Sequence, residues 1–167
     1  WSFNFDVTRS RARPSLWSYS PHSQTGRHMT KRVRGRNIYI VDLQTVIAQS
    51  GSVDAFVTRC RESKFSSIWV RLARGAKLDV NFQRPDIKGI IAKLHDKEID
   101  VWGWHVPFCN TVEIAEREGK TIVGWARDFS LSGVLLDAER TPEHPRFQGD
   151  VAEAKAYADL IVSGMAK

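Results

Sequence analysis

The chain has 167 residues, with 25 Lys plus Arg against 19 Asp plus Glu and a formal charge of +6. With 42% hydrophobic and 26% charged residues, and no apolar run near the roughly 18 needed to cross a bilayer, the composition excludes collagen-like, wholly disordered and transmembrane chains. Cys60 and Cys109 are too few for a disulfide framework and lack the neighbours of a zinc knuckle, so the redox compartment stays open.

The charge sits at the front. Residues 1–36 hold eight basic side chains against one acid, so the remaining 131 residues sum to −1. This stretch is rich in Ser, Pro and His and has neither helical nor strand periodicity. It reads as a disordered basic arm or a non-native leader, with Met29 as an alternative start. No apolar signal-peptide core follows a basic start, and secreted and cytoplasmic locations both stay open.

Patterned sequence begins at Asn37. Short apolar runs at 38–43, 68–72, 101–106 and 133–138 predict four strands. Between the first two, Val53, Phe56, Val57 and Cys60 repeat at i, i+3, i+4, i+7, and Ile87, Ile90, Ile91 and Leu94 do the same after the second. Both patterns predict amphipathic helices. Pro85 suits the first turn of the second helix, and capping-box pairs Asn110/Glu113 and Asp150/Glu153 mark the starts of a third and a fourth.

The alternation predicts an α/β fold with a parallel sheet covered by helices. Strand starts at 38, 68, 101 and 133 are spaced like the units of a (β/α)8 TIM barrel, which needs about 250 residues for eight. Residues 37–167 thus read as the first four βα units, a partial barrel. An open doubly wound sheet is the competing architecture, but the first strand-to-helix turn lacks a Gly-rich phosphate loop. A half barrel leaves unpaired strand edges, through which self-association is expected.

Functional residues in parallel α/β folds gather at the carboxyl ends of strands. Here those ends carry Asp42, Arg71, His105 and the pair Asp137 and Glu139. The last two share a strand face about 6.6 Å apart along the backbone. Two carboxyl groups so placed suit glycosidic cleavage, one donating a proton and the other stabilising or attacking the sugar centre. The plainer alternative is a solvated loop in which the pair meets Arg140. Trp102 and Trp104 share one face of the third strand, either as a sugar-stacking floor or as packing, whereas Trp69 and Trp125 read as packing. Arg71 reads as an ion-pair partner for Asp42 or Asp137. A metal held by His105, Asp42, Asp137 and His144 is the weaker reading, since no His-x-His or His-Glu-x-x-His spacing supports it, and no cofactor is expected.

These stretches resemble the family 25, lysozyme-type glycoside hydrolases. The matching segments are Tyr39-Ile40-Val41-Asp42, Val70-Arg71-Leu72-Ala73, Gly103-Trp104-His105 and Leu136-Asp137-Ala138-Glu139, together with Gly75, Asp79 and Phe82. The resemblance covers 37 to about 140. It implies a TIM barrel with Glu139 as general acid, Asp137 and Asp42 as stabilising or positioning carboxylates, and Trp104, His105 and Arg71 against substrate. The family's Gly-Ile-Asp-x-Ser opening and its later strands are absent. Similarity to the chitinase-like family 18 is poorer, because Ser132 and Leu135 stand where that motif has acids.

The leading expectation is therefore a glycosidase acting on an amino-sugar polysaccharide such as peptidoglycan or chitin, with no membrane partner. A non-catalytic barrel relative that binds glycans or serves as a scaffold is the alternative. Nucleic-acid binding through the basic arm is weaker still, because aromatic interleaving and a recognised binding fold are lacking.

Overall fold

The computed structural model describes residues 32–141 and 146–166; the arm up to residue 31, Met29 and His144 lie outside the described residues. The elements are β1 (Arg36–Ile40), α1 (Leu43–Ser50), α2 (Val53–Glu62), β2 (Phe65–Arg74), β3 (Lys77–Leu78), a 3-10 turn (Val80–Phe82), α3 (Ile87–His95), β4 (Asp100–Val106), α4 (Val112–Asp128), β5 (Gly133–Leu136) and α5 (Val151–Met165). The fold is α/β with a parallel sheet. β1, β2, β4 and β5 lie side by side in chain order and run parallel, while β3 folds back antiparallel on the end of β2. Among the described strands the order never reverses.

Register sorts the side chains into two faces. Tyr39 lies opposite Trp69, Trp69 opposite Trp102, and Arg71 opposite Trp104, so these residues share one face. Ile40, Ile68, Val70, Leu72 and Val101 occupy the other and are buried with the apolar sides of α2 and α3. All four periodic positions of α3 and three of the four of α2 are buried, as an amphipathic helix requires. Each such side chain contributes about 1.5–3 kcal/mol by leaving water.

Glycine is required at two places that shape the strand ends. Gly75 turns the β2–β3 hairpin with φ +53°, and a side chain there would also strike Phe108. Gly133 opens β5 beneath the indole of Trp102, whose ring would lie 2.1 Å from an added Cβ.

Several local expectations need correction. The chain leaves β1 at Ile40, and α1 begins at Leu43 with Asp42 as its N-cap, although the apolar run had pointed to a strand through residue 43. The run Leu43, Val46 and Ile47 is helical because the Asp42 carboxylate accepts the Thr45 N–H and so satisfies an orphan donor of the first turn. β2 runs from Phe65 to Arg74, beyond the apolar 68–72, because its flanking residues pair with β1, β3 and β4. Thr111, not Asn110, caps α4, its hydroxyl accepting the Ile114 N–H. Pro85 precedes the α3 N-cap, Asp86, rather than entering the helix. At α5 the Asp150/Glu153 capping box forms, Asp150 N–H donating to Glu153 at 2.9 Å.

Candidate active site

The C-terminal ends of β4 and β5 are joined by a hydrogen bond from Asp137 N–H to the His105 carbonyl, 2.8 Å. Beyond it the chain runs past Glu139 and returns through Arg146, held by Phe147 N–H on the Glu139 carbonyl and Gln148 N–H on the Phe108 carbonyl. This return places the Arg146 guanidinium 3.0 Å from Glu139 and 3.4 Å from Asp137. The carboxylates are partly exposed, 28% for Asp137 and 44% for Glu139. Burial, then the charge of Glu139, raises the Asp137 carboxyl above its ordinary value, while Arg146 and Arg74 pull the other way. The charge of Asp137 in turn adds to burial in raising the Tyr39 phenol, which places Tyr39 in the same electrostatic field.

Arg140, the partner first considered for this pair, bonds Asp150 and the Gly149 carbonyl instead. Arg146 and Arg74 were missed. Arg74 is the last residue of a strand whose polar end has no apolar signature, and Arg146 comes from a loop nine residues after Asp137, where no periodicity points to it.

Arg71 bonds neither Asp42 nor Asp137. Its Nε donates to Asp79 at 2.6 Å, and its guanidinium lies 5.6 Å from the centre of the Trp104 ring. Trp104 is buried, its indole N–H donating to the Ile40 carbonyl. Tyr39 packs edge-on against Trp69 at 4.6 Å and Trp104 at 5.9 Å, and is itself 56% exposed. Asp42 is exposed, with both carboxylate oxygens engaged by the N–H and hydroxyl of Thr45. Those bonds hold its carboxyl below the usual range, with a smaller contribution from Arg71. Buried Asn81 fixes this corner, accepting from Leu43 N–H and donating to the Val41 and Arg71 carbonyls. Nothing in its local sequence marks it out.

His105 lies elsewhere. It is fully buried between α5 and the hairpin turn, its Nε2 2.9 Å from the Gly75 carbonyl and its Nδ1 2.6 Å from the Tyr157 hydroxyl. A carbonyl only accepts, so Nε2 carries the proton and Nδ1 accepts from Tyr157. Burial drives the imidazole pKa down to about 4. Nearby, buried Glu118 accepts from Phe108 N–H at 3.0 Å and Cys109 N–H at 3.4 Å, and burial with this carboxylate pushes the Cys109 thiol up to about 12.

Among the described residues no group of three or more His, Cys, Asp or Glu is placed to hold a metal ion, and no helix is long and apolar enough to cross a membrane. No protein-family model, curated protein or solved structure matches the chain.

Proposed function

We propose that the chain is the first half of a TIM-barrel glycoside hydrolase that cleaves an amino-sugar polysaccharide through Asp137 and Glu139. The observation that carries this reading is the pair itself. Two carboxyl groups stand just beyond the carboxyl end of one strand, both partly open to solvent and both beside one cation. Sequential parallel strand order supports the barrel. Glu139 acts as the general acid once a sugar displaces Arg146, Asp137 stabilises the oxocarbenium-like centre, and Asp42 positions the substrate. Tyr39, beside Trp69 and Trp104, offers an exposed ring on which a sugar can stack.

The second reading, a glycan-binding or scaffold relative without catalysis, is favoured by one observation: all three carboxylates have structural partners, Arg146 for the pair and Thr45 for Asp42. Hydrolysis of peptidoglycan and of chitin by the parent and by Glu139→Gln separates the two. Loss of activity with unchanged folding supports the hydrolase. Retained sugar binding without hydrolysis in the parent supports the binding module.

A further inference from the structure

We infer that Arg74 is the positioning residue that assigns the two roles of the carboxylate pair, holding the negative charge on Asp137 and leaving the proton to Glu139. The inference rests on the acid and stabiliser roles given to the pair above and adds the cation that keeps them apart.

Those roles run against the local burial. Two neighbouring carboxyl groups do not ionise together easily, so one of them keeps a proton. Glu139 has to be that one, yet Asp137 is the less exposed of the two, and burial is the largest cause raising its hold on a proton. Arg146 does not correct the order, since it lies closer to Glu139 than to Asp137, 3.0 against 3.4 Å. It is also the group that an incoming sugar displaces. With it gone, burial alone would protonate the wrong partner.

An irregularity in β2 brings up a second cation. Arg71 pairs with Trp104, but Ala73 rather than Leu72 pairs with His105, so two residues of β2 stand against one of β4. Leu72 and Ala73 are both fully buried, and the pairing resumes with Arg74 opposite Val106. In a regular strand, residue 74 would face away from residue 71. The bulge returns it to the face of Arg71 and Trp104. Asp137 lies level with it. Leu136 pairs with His105, and the Asp137 N–H still bonds the His105 carbonyl at 2.8 Å, which sets Asp137 beside Val106. Arg74, Val106 and Asp137 thus form one row across β2, β4 and the end of β5. Two strand spacings, about 9–10 Å between backbones, separate its outer members, a gap that an extended arginine can bridge.

The other ionisable groups around Asp137 leave this task to Arg74. Tyr39 from β1 is a neutral phenol, Glu139 and Arg146 belong to the same loop as Asp137, and His105 on β4 turns its ring to Tyr157 and Gly75. Arg71 is committed to Asp79 at 2.6 Å. Arg74 is exposed, and its charge acts on Asp137 in favour of ionisation.

Arg74→Gln and Arg74→Lys in the full chain test the assignment. The position is exposed, so both variants keep the thermal midpoint of the parent. In peptidoglycan and chitin hydrolysis, Arg74→Gln moves the acidic limb of the kcat profile up by roughly 0.5–1 pH unit, Arg74→Lys restores it, and added salt narrows the difference. A merely structural role lowers the rate without moving the limb. A limb that stays in place in Arg74→Gln, or that lysine fails to restore, overturns the inference. Carbon-13 titration of the carboxyl groups in Arg146→Ala, with and without Arg74→Gln, reads the same property without turnover. The Asp137 midpoint rises when Arg74 is lost, and an unmoved midpoint overturns the inference whatever the hydrolysis shows. Hydrolysis abolished by Glu139→Gln but with its acidic limb indifferent to Arg74→Gln removes the role of Arg74 alone. Hydrolysis indifferent to Glu139→Gln, with the Asp137 midpoint moved, overturns the assignment through the catalytic reading beneath it and leaves the charge coupling standing.

Discussion

The adjacent ends of β4 and β5 both gather ionisable groups, yet they are built on opposite terms. At the β4 end His105, Tyr157, Cys109 and Glu118 are buried, and their polar atoms bond one another or nearby backbone. Burial is the largest cause of every shift resolved there, lowering His105 and raising Cys109 and Tyr157. At the β5 end Asp137 and Glu139 are partly open and share a cation. The more strongly perturbed groups are thus the ones sealed from substrate. Perturbation marks a functional site only where the group can also be reached.

The largest effect that tests this division belongs to the open end. Glu139→Gln lowers polysaccharide hydrolysis by about 10²- to 10⁴-fold, the usual contribution of a general acid. Its thermal midpoint stays that of the parent, because Glu139 is 44% exposed. Equal hydrolysis by parent and variant would end the catalytic reading of the β5 end. The closed end answers in stability. Glu118→Ala leaves the Phe108 N–H and the buried Cys109 N–H without their acceptor and costs about 2 kcal/mol, measured by urea unfolding.

A similar magnitude comes from pH. His105 resists protonation until about 4 when folded, against 6.5 for a free imidazole, so the unfolded chain takes up the proton first as pH falls. Stability is full above about 6.5, declines between 6.5 and 4, and levels off below, a total near 3 kcal/mol from this group. Urea midpoints at intervals across that window check it, and a profile flat from pH 7 to 4 would mean that the imidazole is not sealed. The smallest effect on stability is that of Arg146→Ala, within about 0.5 kcal/mol for a partly exposed loop residue. Removing that cation lets the Asp137 carboxyl rise further, so the acidic limb of the pH–rate profile moves to higher pH.

Periodicity made much of the scaffold legible before any coordinates. The apolar positions of α3, the strand β4, the start of β5 and the start of α5 all follow from spacing and capping pattern. Helix α1 was hidden because its apolar residues continue the run of β1, and only the Asp42 cap separates the two. The pair Asp137 and Glu139 was visible as an Asp-x-Glu spacing at the end of an apolar run, although β5 stops at Leu136, short of the expected residue 138, and both carboxylates stand in the loop beyond it. Arg146 and Asn81 were not, since each acts across a long loop or between elements. Asp79, quoted only as a motif residue, proved to be the partner of Arg71, because the β2–β3 hairpin folds it back on the strand.

The contact of Tyr39 with two indoles has an optical consequence. A phenol 4.6 Å from one indole and 5.9 Å from another passes its excitation to them, so light absorbed at this ring emerges as tryptophan emission. Covering the ring with a saccharide dries the half-exposed Trp69 and shifts that emission to the blue. The unmodified protein thus carries its own dye on the face where the proposed function places a sugar.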